Sequence, residues 1–283
     1  VNAPIVLGPA VAGSFYPAGR AALATLVDRL LAQAPETRGQ AVAAIAPHAG
    51  FSFSGALAAA SLRAIAGPDV ARVILIGPSH YFGFRGAAMP DAARAYRTPL
   101  GDVPIDVAAL GSLRAQDGII ADDRYFAREH ALECELPFLQ HLLPAGFALI
   151  PILLGGAATR VDAARLAGQL LPLIDAGTRV VVSSDFTHYG PRFDYVPFMD
   201  DVPARLLALD HGAVRAIEAG DAAAFASYVD ATGATICGRR AIDVLLGLPC
   251  GRAGGRLLAY DTSGRQTGQW DHSVSYASMV FPA

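Results

Sequence analysis

No apolar run in this 283-residue chain is long enough to cross a bilayer as a helix. The longest stretches, near Phe147–Ala158 and Ala56–Ala66, are broken by glycine, proline or arginine. The start, Val1-Asn2-Ala3-Pro4, lacks the basic segment and apolar core of a secretory signal, and a first residue other than methionine points to a processed or trimmed chain. Lysine and arginine form no stripe and the net charge is -3, which argues against nucleic acid as a partner. Cysteine is scarce. Cys134, Cys237 and Cys250 are odd in number and far apart, which suits a reducing cytoplasm better than a disulfide framework. GxGxxG, P-loop, GxSxG and CxxC patterns are missing, so nucleotide folds, α/β-hydrolase chemistry and zinc ribbons have no support. No linker, low-complexity tract or internal repeat occurs, and residues 1–283 are expected to form one domain.

What remains is ample core material, with 53% hydrophobic residues, in an alternating order of elements. Helices are expected over Ala21–Ala34, Ser54–Ile65, Asp106–Arg114, Arg128–Leu143, Val161–Leu173, Val202–Glu218, Asp221–Asp230 and Arg239–Leu246. Gly101-Asp102-Val103-Pro104 leads into the third of these, and Pro137 should sit early in the fourth or kink it. Strands are expected at Ala41–Ala46, Val73–Ile76, Phe147–Leu154, Val180–Ser183, Arg256–Asp261 and Ser273–Val280, with Pro151 marking a bulge or an edge. This order predicts an α/β fold, with a mostly parallel central sheet covered by helices.

Three of the strand runs end in groups that titrate or bind metal. Ala41–Ala46 runs into Pro47-His48-Ala49-Gly50, Val73–Ile76 into Gly77-Pro78-Ser79-His80, and Val180–Ser183 into Ser184-Asp185-Phe186-Thr187-His188. In open α/β sheets the carboxyl ends of the strands line the ligand crevice. Either histidine by itself fits a ring bonded to loop backbone, but two at two strand ends point to a metal. Asp185 fits two roles, capping a turn or orienting His188. Cys237, between Ile236 and Gly238 at a helix start, fits either a metal-ligating thiol or a small buried side chain. Glu129-His130-x-x-Glu133-Cys134-Glu135 is dense in ligand-type groups. On a helix His130, Glu133 and Cys134 would share a face, solvated or supporting a site. His141, His211 and Cys250 read as structural, and His272 stands within reach of a loop-built site.

Six strings, in order along nearly the whole chain, resemble the Memo-like family, whose prokaryotic members are also called AmmeMemoRadiSam system protein B. They are Ala12-Gly13-Ser14-Phe15-Tyr16-Pro17, Pro47-His48-Ala49-Gly50-Phe51, Gly77-Pro78-Ser79-His80, Glu129-His130-Ala131-Leu132-Glu133, Ser183-Ser184-Asp185-Phe186-Thr187-His188-Tyr189-Gly190 and Cys237-Gly238. The resemblance implies a three-layer αβα sandwich like that of the class III extradiol dioxygenases. It implies metal ligation by His48, His80 and Cys237, with Asp185 and His188 in the same pocket. The related dioxygenases have a carboxylate where this family has the cysteine. The softer thiolate suits iron(II) or copper(I), with zinc less expected.

The expected function is redox or oxygen-activating chemistry at a mononuclear non-haem site, with Asp185 and His188 as acid and base. A non-catalytic peptide- or metal-binding module and a metal-assisted hydrolase are the alternatives. By family association an AMMECR-type protein and a radical-SAM protein are the expected partners, beside an unidentified small-molecule or peptide ligand. No membrane partner and a cytoplasmic location are expected.

Overall fold

The computed structural model describes residues 5–37, 39 and 41–282. The strands are β1 (Ile5–Leu7), β2 (Ala43–Ala46), β3 (Arg72–Pro78), β4 (Ala87–Met89), β5 (Ala93–Thr98), β6 (Gly101–Pro104), β7 (Ile119–Ala121), β8 (Ala148–Leu154), β9 (Thr178–Ser183), β10 (His188–Tyr189), β11 (Arg256–Thr262) and β12 (Ser273–Phe281). The helices are α1 (Arg20–Gln33), α2 (Phe51–Ile65), α3 (Val107–Leu113), α4 (Leu136–Leu142), α5 (Arg160–Leu170), α6 (Val202–Glu218), α7 (Ala222–Thr232), α8 (Arg239–Gly247), α9 (Pro249–Arg252) and α10 (Ser263–Thr267).

Among the described residues, nine strands form one sheet in the order β10-β12-β2-β9-β3-β8-β4-β7, with β11 on β12, and β1-β5-β6 form a second. At the centre, β2, β9, β3 and β8 run parallel. Their aliphatic runs are continuous because both faces are covered. Val73, Ile74, Leu75 and Ile76 are all fully buried, each side chain contributing about 1.5–3 kcal/mol of burial. Successive side chains at the end of β9 show the two covering layers. Ser183 reaches Ala131 and Glu135, just before α4, whereas Ser184 reaches the Gly238 N–H at the head of α8. The α1–α2–α4 group thus lies on one face and the α5–α8 group on the other.

The sheet is mixed rather than mostly parallel, with four parallel and four antiparallel pairings. Residues 263–272, which join β11 to β12, hold only the five-residue α10, too little for a parallel crossover, so β12 returns antiparallel. It then extends the sheet at β2, again antiparallel. Gly101–Pro104 is a strand paired with β5, and not a helix entrance. Asp106 caps α3, accepting from the Ala109 N–H. The helix expected over Arg128–Leu143 is absent before Glu133. Instead a tight turn at Glu133–Glu135 leads into α4, with Pro137 in its first turn. The Glu129 carboxylate takes the N–H groups of His130 and Ala131, drawing this segment out of helical bonding. Pro151 lies in a local gap on the outer side of β8, between a single bridge from Ile105 to Leu149 and the short pairing with β4. The β3–β8 ladder passes it without a shift, and β4 reaches only Leu153 and Leu154.

Candidate metal centre

Each strand-end side chain is held by partners distant in sequence. After β2, the His48 N–H donates to Asp185 Oδ1 at 2.9 Å, and Gly50 starts α2. His48 is buried, with Nδ1 2.8 Å from Ser183 Oγ. After β3, the His80 N–H donates to Glu129 Oε2 at 2.6 Å, and its Nδ1 lies 2.8 Å from Glu129 Oε1. Gly77 permits this pairing. A Cβ there would stand 2.9 Å from the tip of Leu132 and 3.3 Å from the Ala131 Cβ, crowding the turn that carries Glu129.

Cys237 arrives from the opposite side of the sheet. Gly238 lies so close to β9 that a Cβ would stand 2.4 Å from that of Ser184. The close approach brings Cys237 Sγ to 3.4 Å from His48 Nε2, while the Asp185 N–H points at the sulfur from 3.3 Å. Donor atoms of His48, His80 and Cys237 all lie within 4.8 Å of one another. Bonds of about 2.0 Å to nitrogen and 2.3 Å to sulfur, at a tetrahedral angle, would separate those two donors by about 3.5 Å. The His48–Cys237 spacing fits one ion. In both imidazoles Nδ1 faces a protein partner and Nε2 is left for the ion.

Electrostatics favour neutral imidazole at His48. Burial, reinforced by the nearby His80, His130 and His188 rings, pushes its pKa well below the ordinary value. Burial also pushes the Cys237 thiol up, with the Asp185 carboxyl adding to the effect, so ligation must displace a proton. Burial raises Glu129, but the His80 ring and the backbone N–H groups outweigh it and hold the carboxyl below its usual range.

Asp185 and His188 sit beside this set without being bonded to each other. Asp185 ties the His48 turn, and its carboxyl is pushed up to about 6 by burial, against the pull of His188 and the His48 N–H. His188 Nδ1 points at the carbonyls of Phe186 and Thr235, at 3.0 and 3.1 Å, so backbone and not the Asp185 carboxylate selects its tautomer. Glu133, Cys134 and His130 do not share a face. Glu133 accepts from the Ala10 and Val11 N–H groups and the Tyr16 hydroxyl, which is how the Ala12–Pro17 string is fastened to the site. Cys134 is buried, and His130 stacks on His80 with ring centroids 4.7 Å apart. His141 and His272 pair with Asp28 and Asp271 away from the cluster.

Glu129 and Glu135 stood in a ligand-dense string without assigned roles, and Ser183 was not read as part of the site; their pairings with His80 and His48 were not anticipated. The available signal was a carboxylate directly before His130, obscured by the helical reading of that segment. A cavity of about 310 Å³ opens beside His80 and Cys237, lined also by Ser79, Gly155, Gly156 and Arg239.

The fold and the donor set define a layered α/β protein with a His-His-Cys cluster at the carboxyl ends of its parallel strands. The sequence profile of the Memo-like protein family matches residues 8–280, and the chain belongs to that family. It is 33% identical to a MEMO1 family protein of Methanopyrus kandleri, covering 96% of this chain and 98% of that protein. A MEMO1 family protein of Thermoplasma acidophilum is 34% identical, over 96% and 97% of the two chains. The memo-1 homolog of Caenorhabditis elegans is 33% identical, over 95% of this chain and 80% of that protein. Among the described residues no helix is long and apolar enough to cross a membrane.

Proposed function

We propose that this protein holds one iron(II) or copper(I) ion through His48, His80 and Cys237 and uses it in redox or oxygen-activating chemistry. The observation that carries the reading is the convergence of the three donor atoms within 4.8 Å, with both Nδ1 atoms already engaged. When bound, such an ion supplies one-electron chemistry and Lewis acidity, and a soft thiolate in the donor set favours copper(I) or iron(II).

The residues around it have separate tasks. Glu129 orients His80. Asp185 holds the His48 turn, and with a carboxyl near 6 it takes or releases a proton close to neutrality. His188 donates through Nδ1 to carbonyls, leaving Nε2 as its proton-accepting atom. The cavity beside His80 admits a small molecule or the end of a peptide. We extend the reading to a class III extradiol dioxygenase-like sandwich spanning 1–283, in a reducing cytoplasm that suits three free cysteines. An AMMECR-type and a radical-SAM protein are the proposed partners.

Anaerobic titration with iron(II), copper(I) and zinc, followed by oxygen uptake with reductants and catechols, tests this. Cys237→Ser should weaken iron or copper binding more than about 100-fold, and Cys250→Ser should leave it within about threefold. His188→Ala should keep the ion and lose oxygen uptake. A tight zinc complex without redox activity would instead support hydrolysis. No ion together with tight peptide binding would support a non-catalytic module.

A further inference from the structure

Ser183 has more hydrogen-bond partners than it has protons. Its Oγ lies 2.5 Å from the Ala131 carbonyl, 2.8 Å from His48 Nδ1 and 2.9 Å from Glu135 Oε1. A hydroxyl donates once and accepts twice, whereas a carbonyl can only accept. Ala131 is fully buried, and Ser183 is the one donor its carbonyl has among the described residues. The serine proton is therefore committed to Ala131, along the shortest of the three contacts. Toward His48 and Glu135 the serine can only accept, so each of them must bring a proton.

From this count we infer that Glu135 is a neutral carboxylic acid that positions His48: it donates from Oε1 to Ser183 Oγ, holds that hydroxyl on Ala131, and leaves His48 with its proton on Nδ1 and a bare Nε2 toward Cys237. The surroundings agree. Glu135 is completely buried, and among the described residues no cation pairs with it. Its Oε2 is buried without a partner among the described residues, a far smaller cost for a carbonyl oxygen than for half of an ionised carboxylate. Burial, with Asp185 close by, pushes the Glu135 carboxyl well above the usual range. The two strand-end imidazoles are thus supported differently, His80 by an anion and His48 by an uncharged relay.

The assignment rests on the metal reading only for its purpose, and the apo protein tests the protons directly. At pH 8 the infrared spectrum should show one C=O stretch of a protonated carboxyl that disappears in Glu135→Gln. Nitrogen-15 NMR should show His48 protonated at Nδ1 and bare at Nε2. The glutamine amide can still donate to Ser183, so Glu135→Gln should keep this tautomer and keep iron(II) and copper(I) affinity within about threefold. Glu135→Leu removes the donor and frees the serine to turn its proton onto Nδ1. It should lose affinity 10–100-fold, the range expected when the partner of a ligating histidine is removed. Absence of the carboxyl band, a His48 proton on Nε2, or equal losses in the glutamine and leucine variants would overturn the inference. If Glu135→Leu does not fold, the band and the glutamine variant decide it. Wild-type protein that takes up neither ion overturns the metal reading alone, since the band and the tautomer still locate the protons.

Discussion

His48 and His80 occupy equivalent places after two parallel strands, and their local sequences share the order proline, then histidine. Their surroundings differ. His48 is 2% exposed, whereas the His80 side chain is 28% exposed and borders the cavity. His48 leans on a serine and His80 on a carboxylate. The comparison shows that a strand end only delivers an imidazole to the crevice. The segment that packs over the strand end then determines which nitrogen is free, how electron-rich the ring is, and whether solvent reaches it. At His80 that segment is the turn after Phe126. At His48 it is the end of β9. The more exposed ring is the side from which a ligand would approach.

The largest expected effect is loss of the ion. His48→Ala and His80→Ala should each remove stoichiometric iron(II) or copper(I), measured by metal analysis after gel filtration. The comparison then predicts a difference in stability. His48→Ala opens a cavity in a fully enclosed site and should cost about 2–4 kcal/mol in denaturant melts of the apo proteins, against about 1 kcal/mol for the more accessible His80. Equal costs would remove the distinction between a buried and an accessible ligand.

A smaller effect is expected at Glu129. Its oxygens accept from the His80 backbone and ring and from the His130 and Ala131 N–H groups. Glu129→Gln turns an amide NH2 toward at least one of these donors. It should lower metal affinity 10–100-fold and stability by about 1–3 kcal/mol, whereas Glu135→Gln changes neither appreciably. Calorimetric titration of the two variants side by side measures the contrast directly. Similar behaviour would mean that both histidines have the same kind of support.

Per pH unit, the smallest effect is that of acidity. With the Cys237 thiol pushed up, one proton leaves on ligation, so affinity should rise about tenfold per pH unit and fall as the solution is acidified. The capping box of α5 separates this from acid unfolding. Asp162 is held down at about 2 by the Thr159 hydroxyl, the Thr159 N–H and Arg85. Its contribution is complete above the unfolded carboxylate value and is lost only as pH falls through about 2. Metal loss between pH 7 and 5 with unchanged far-UV dichroism would therefore be proton competition at the ligands. Unfolding over the same range would reject that explanation.

Much of the scaffold was legible from local pattern. α6 falls on Val202–Glu218 as expected, α1 is displaced by one residue at each end, and α8 extends one residue past its expected end. Periodic leucine and alanine positions carry that information, because burial on one face is written into the spacing. The short strands β4, β5 and β7 were not anticipated, since three- to six-residue segments are set by their pairing partners more than by composition. The segment from Arg128 to Leu143 misled for a related reason. Its apolar residues keep helical spacing, but Glu129 satisfies backbone N–H groups that a helix would need, and it does so because His80 is there to hold it.

By itself the sequence determined the parallel strands, their abrupt ends and the placement of His48, His80, Asp185 and His188 at those ends. Short, continuous, β-branched aliphatic runs in an alternating order of elements read as buried parallel strands, and whatever follows them emerges at the crevice. Only the tertiary structure decided that Cys237 meets His48 across 189 residues of chain, that a carboxylate stands behind one imidazole and a serine behind the other, and that the last strands turn the sheet mixed. Those outcomes depend on close approaches such as Gly238 against Ser184 and on which donors and acceptors are buried together. Local spacing carries no record of either, because the free energy of a buried polar group is set by the partner it finds after folding.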